Sequence, residues 1–115
     1  MQAQRLSTAR VETLLLKRRE ELAQRLAEVK VDLARSSEPL SPDFAEQAGE
    51  RENEEVLEAL RDRTEAELRD LGAALQRLHS GKYGECTQCG YPIEPRRLEA
   101  VPYTDSCSLC ASQRP

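Results

Sequence analysis

The chain has no tryptophan, a single phenylalanine and only 3% aromatic residues among its 115, so the bulky apolar material of a broad globular core is missing. It has no long hydrophobic run either. Leu14-Leu15-Leu16, near the start, falls far short of the roughly 20 apolar residues that span a bilayer. The opening "MQAQRLSTAR" lacks the apolar centre of a signal peptide, which predicts a cytoplasmic protein without a membrane anchor. An excess of positive charge is also absent. The net charge of −4 argues against a protein that wraps nucleic-acid phosphates by itself.

What is present is charge, at 33% of the residues, which suits long exposed helices burying a narrow seam. It is unevenly spread. Residues 1–35 hold eight Lys or Arg against five Asp or Glu, residues 36–80 five against twelve, and residues 81–115 four against four. The acidic middle repels DNA and suits a basic protein groove or a metal ion.

Hydrophobic spacing predicts two long helices. In the first, over about residues 6–35, Leu15, Leu22, Leu26, Val29 and Leu33 form a heptad seam with no interior Gly or Pro. Pro39 and Pro42 interrupt it, and Ser41 followed by Pro42 reads as an N-cap and first helical residue. The second helix, over about residues 42–79, carries Val56 or Leu57, Leu60, Thr64, Leu68, Leu71, Leu75 and Leu78, with a stutter around Thr64. Gly49 and Gly72 weaken it without ending it, whereas Gly81 reads as a left-handed C-cap. Neither helix can bury its stripe alone, so the pair is expected to lie antiparallel. The expected fold is mainly α: a long two-helix coiled-coil hairpin over residues 1–80, its tip at 36–44, and a small four-cysteine zinc-finger module over 81–115. Leucines at this spacing also suit a purely structural hairpin or a four-helix dimer.

Cys86, Cys89, Cys107 and Cys110 read as C-x2-C-x17-C-x2-C, within the spacing of four-cysteine zinc sites. Each Cys-x-x-Cys turn presents two thiolates, two turns close a tetrahedron, and Gly90 supplies an unhindered backbone after Cys89. Four thiolates fill the shell, so one structural zinc is predicted rather than a catalytic one. A redox dithiol and a pair of disulfides are the competing readings. The sole histidine, His79, lies outside the pattern and reads as a surface residue. The module is charge-neutral and has no basic recognition helix, which argues against sequence-specific DNA binding.

Asp43 and Glu46 follow the proline turn. Carboxylates in a first helical turn are favoured by the helix dipole, so on their own they are better explained as helix chemistry. Arg96 and Arg97, the module's one basic pair, suit either solvent or a protein partner.

An acidic-tipped helical hairpin followed by "YGECTQCGYPIEPRRLEAVP" and "CSLC" resembles the DksA/TraR family of bacterial RNA polymerase regulators, from Asp43 to Cys110. The resemblance implies a non-enzymatic transcription regulator. It would insert its coiled coil into the polymerase secondary channel, acting as a monomer when bound. The family's tip motif D-x-x-D/E-x-A falls on Asp43, Glu46 and Ala48, which makes the acids the working end. Glu46 stands where the best-known members have aspartate, moving the carboxylate by about one bond length. Arg63, Arg96 and Arg97 become candidate polymerase contacts. The family's basic contacts to ppGpp, the alarmone of the stringent response, fall on Asp70, Val101 and Ala111, which implies action without ppGpp at that interface. A one-turn slip in the helical alignment would bring in Arg69 or Arg77 instead. The rival readings are a Gre-like accessory that holds a metal on its tip for transcript cleavage, and a coiled-coil adaptor with no polymerase role.

Overall fold

The computed structural model describes residues 7–35 and 43–113, with the backbone alone for Phe44, Ala45 and Ala48. These residues are mainly helical: α1 (Thr8–Arg35), α2 (Phe44–His79), α3 (Pro95–Ala100) and α4 (Ser108–Ser112). Among the described residues there is no strand, only an isolated bridge between Glu85 and Pro92. No described helix is long and apolar enough to cross a membrane. The turn residues Pro39, Ser41 and Pro42 lie outside the described residues.

The contacts divide the chain into two compact units. The first gathers the described part of Met1–Arg19 with Arg69–Pro115. Here the ends of the two long helices run antiparallel, since Glu12 near the start of α1 meets His79, the last residue of α2, at 2.6 Å. His79 is exposed, as its position outside the cysteine pattern predicts. Val11, Leu15, Leu71, Ala74, Leu75 and Leu78 are buried in this unit.

The second unit is Glu20–Leu68. Leu22, Val29 and Thr64 are its buried positions, with Leu26, Leu33, Leu57, Leu60 and Leu68 half-buried. Of the two residues that fit the seam, Leu57 turns inward while Val56 is 64% exposed. Thr64 is polar yet 2% exposed, and its hydroxyl donates to the Leu60 carbonyl at 2.7 Å. That back-bond satisfies the buried group at the stutter and is of the kind that bends a helix.

Gly81 ends α2 as anticipated. Its φ of 78° is left-handed; Gly81 N–H donates to Leu78 O at 3.2 Å and Lys82 N–H to Arg77 O at 2.8 Å. That pair of bonds is the Schellman motif, which uses carbonyls the helix would otherwise leave open.

Candidate metal centre and acidic helix start

Residues 84–113 fold around a small core. Cys86, Ile93 and Cys107 are buried, and Leu98 and Cys110 pack against them. The run "IEPRRLEA" supplies much of this. Ile93 fills the core. Glu94 takes the N-cap position of α3, with Pro95 at the start of the helix, where a missing N–H costs nothing. Leu98 closes over the cysteines and lies 3.7 Å from where a Cβ on Gly84 would sit. The Glu94 carboxylate also accepts from the backbone N–H of Ser108 at 3.1 Å and from its hydroxyl, tying α3 to the start of α4. Those bonds hold the carboxyl below its usual range.

The four cysteine sulfurs all lie within 4.8 Å of one another. Cys89 Sγ and Cys107 Sγ are 3.8 Å apart, far beyond a disulfide bond and close to the ~3.8 Å edge of a tetrahedron with metal–sulfur bonds of about 2.3 Å. All four cysteines are free. The turns are built for thiolates. In the first pair, Gly90 at φ 79° lets its N–H reach Cys86 O at 2.9 Å. The Cys86 thiol is pulled down to about 6, chiefly by the backbone N–H of Cys107, then, against the cost of burial, by those of Cys89 and Gln88. In the second pair, Cys110 N–H points at Cys107 Sγ from 3.5 Å. With four thiols this close, all cannot ionise unaided. Cys110 is pushed up to about 12, first by its hydrogen bond to the Cys107 sulfur and then by burial. A dication at the centre removes that conflict, so the donor set fits a tetrathiolate metal.

The acidic start of α2 differs in detail from expectation. The helix begins at Phe44 rather than at residue 42, and Asp43 provides the cap. Its Oδ1 accepts from Glu46 N–H at 3.0 Å, and its carbonyl accepts from Gln47 N–H at 3.0 Å. An aspartate oxygen satisfies an N–H left open at a helix start, and D-x-x-E is the spacing of a capping box. Asp43 and Glu46 are both exposed, whereas the side chain of Ala48 lies outside the described set.

The arginines separate by environment. Arg63 and Arg96 are exposed. Arg97 is half-buried, and its Nε donates to Ser106 O at 2.7 Å. Asp70, Val101 and Ala111, scattered in sequence, line one cavity of about 260 Å³ together with Arg77 and Arg97. Both guanidiniums there already bond main-chain carbonyls: Arg97 that of Ser106, and Arg77 those of Tyr103 and Thr104. Sequence periodicity carried no sign of these long-range bonds.

The family model described as DnaK suppressor protein-like, N-terminal domain, matches residues 11–78. An uncharacterized protein of Aquifex aeolicus (strain VF5) is 40% identical over 60 residues, 52% of this chain and 41% of that protein. The RNA polymerase-binding transcription factor DksA of Haemophilus influenzae is 36% identical over 69 residues, 60% of this chain and 48% of the relative. The chain thus spans less than half the length of either relative. Among solved structures, transcription factor DksA2 from Pseudomonas aeruginosa superposes with a TM-score of 0.79 at 31% identity, covering 96% of this chain and 82% of the other. The solution structure of a DnaK suppressor protein from Agrobacterium tumefaciens C58 gives a TM-score of 0.64 at 40% identity, covering 96% of both chains.

Proposed function

This chain belongs to the DksA/TraR family, and on that premise we propose that it is a non-enzymatic transcription factor that binds RNA polymerase through the secondary channel. The four-cysteine cluster would hold one structural zinc. The start of α2 would act near the polymerase active site through Asp43, Glu46 and Ala48. The observation that carries this reading is one chain combining a thiol cluster of tetrahedral dimensions with an exposed, capped pair of carboxylates at a helix start.

Exposed Arg63 and Arg96 are the candidate contacts at the channel rim. Arg97, a candidate by sequence, is largely committed to its own module. No DNA contact is needed. A regulator shifts an equilibrium only by its different affinity for the two states, so already marginal initiation complexes respond most.

The cavity around Asp70 bears on the alarmone. Asp70 repels a phosphate, Val101 and Ala111 cannot pair with one, and the two arginines are engaged with carbonyls. Each missing charge-assisted contact costs on the order of 1.5–3 kcal/mol, enough together to abolish a micromolar site. The protein is therefore expected to act without ppGpp at this interface.

The test is transcription in vitro with purified polymerase, on strong stable-RNA and amino-acid-biosynthesis promoters, with and without the protein. Altered initiation without shortening of backtracked RNA supports the reading. Nucleolytic shortening favours the Gre-like alternative, and no binding to core enzyme favours an adaptor. Repeating the assay across ppGpp concentrations, with a polymerase lacking any other ppGpp site, should give no synergy.

A further inference from the structure

Immediately before Cys107 lies a short strap, residues 102–106, in neither helix nor strand. Its five consecutive carbonyls are all taken by donors from elsewhere in the same unit. The Tyr83 hydroxyl donates to Pro102 O at 2.8 Å. Arg77 Nη2, from the last turn of α2, donates to Tyr103 O at 3.4 Å and Thr104 O at 3.3 Å. Thr87, next to Cys86, donates to Asp105 O from its N–H at 2.8 Å and its hydroxyl at 3.0 Å. Arg97 Nε, from α3, donates to Ser106 O at 2.7 Å. Thr104 and Ser106 are buried, so their carbonyls cannot simply exchange their partners for bulk water.

We infer that Arg97, assisted by Arg77, is a positioning residue for the metal site: by fixing the strap, it presents Cys107 and Cys110 to the metal in ligand geometry. The chain of causes is local. Cys107 directly follows the Ser106 carbonyl that Arg97 holds, and Thr87, inside the first cysteine turn, bonds the neighbouring Asp105 carbonyl. Movement of residue 106 therefore disturbs both cysteine pairs. Arg97 ranks above Arg77 because its bond is short and single, whereas Arg77 divides one nitrogen between two longer contacts. Groups that orient metal ligands from behind typically alter affinity by about 10–100-fold. This inference rests on the reading that the four cysteines bind metal.

The experiment uses the full chain loaded with zinc and measures the rate of metal transfer to a chromogenic chelator. Arg97→Met should release zinc about 10–100-fold faster than wild type, Arg77→Met less so, and Arg96→Met at the wild-type rate. Arg97→Lys keeps a charge and one donor and should fall between Arg97→Met and wild type. Cobalt-substituted Arg97→Lys should keep the wild-type charge-transfer spectrum, since the four sulfurs remain the ligands, and far-UV circular dichroism should show unchanged helicity. If Arg97→Met does not fold, the intermediate rate of Arg97→Lys carries the test. Wild-type release rates in both Arg97 variants would overturn the inference. A wild-type protein that takes up no metal would instead overturn the reading beneath it.

Discussion

Asp43 holds two assignments that substitution can separate. As a cap, it accepts Glu46 N–H at 3.0 Å; as a proposed effector, it carries charge to the polymerase. Asn and Ser cap about as well as Asp, so Asp43→Asn and Asp43→Ser should keep the bond and lose only the attraction between charge and helix dipole. That attraction is worth about 0.3–1 kcal/mol, and the exposure of Asp43 puts it at the low end. Asp43→Ala loses the attraction and the cap, a further ~1 kcal/mol. At roughly 4 °C per kcal/mol for a chain of this size, the neutral caps should lower the unfolding midpoint by about 1 °C and Ala by about 5 °C. Transcription is then assayed at a temperature where every variant is folded. The expected result is that all three fail to regulate, although Asn and Ser are nearly as stable as wild type. If Asn and Ser regulate normally and only Ala fails, the charge is idle and Asp43 is a helix cap alone.

Two glycines predict opposite signs for the same change. Nothing lies within 4 Å of a Cβ built on helical Gly72, so Gly72→Ala should stabilise by about 0.5–1 kcal/mol, whereas Gly81→Ala, at φ 78°, should destabilise by about 1 kcal/mol; denaturant midpoints measure both. Removing metal with a chelator, or Cys→Ser at residue 86, 89, 107 or 110, should open residues 81–113 to proteolysis while most helicity, which resides in α1 and α2, survives. Tyr83→Phe should cost about 1 kcal/mol at neutral pH by deleting the bond to Pro102 O. Burial raises the Tyr83 hydroxyl above its ordinary 10.0, partly offset by Arg77. Its stabilising effect is therefore complete below pH 10 and lost as pH rises through the higher folded value, so alkaline unfolding should be shallower in the Phe variant.

The helical stripes were legible because burial recurs with the helix period: Leu15, Leu22 and Val29 announce one face, and Leu71, Leu75 and Leu78 another. The cysteine cluster was legible because metal geometry restricts spacing. Val56 against Leu57 was not decided, since either fits a face and only packing chooses. The cap at Asp43 was missed because Ser41-Pro42 offers an equally good start signal two residues earlier. The employment of Arg77 and Arg97 was hidden for a different reason. Side chains that bond carbonyls 9 to 27 residues away leave no periodic trace, and an arginine looks the same in sequence whether it faces solvent or its own backbone.

The meeting of Glu12 with His79 has a consequence for the time at which the protein becomes whole. The two residues are 67 positions apart, and a ribosome adding about 5–20 residues per second needs about 3–13 s to make the intervening chain. A helix of the length of α1 forms within about a microsecond, so throughout that wait Val11 and Leu15 have no partner from the end of α2. The nascent helix must then stay out of contact with other unfinished chains by its own means. Its seven basic and five acidic residues, interleaved with that stripe, act as gatekeepers during synthesis and not only as solvated surface afterwards.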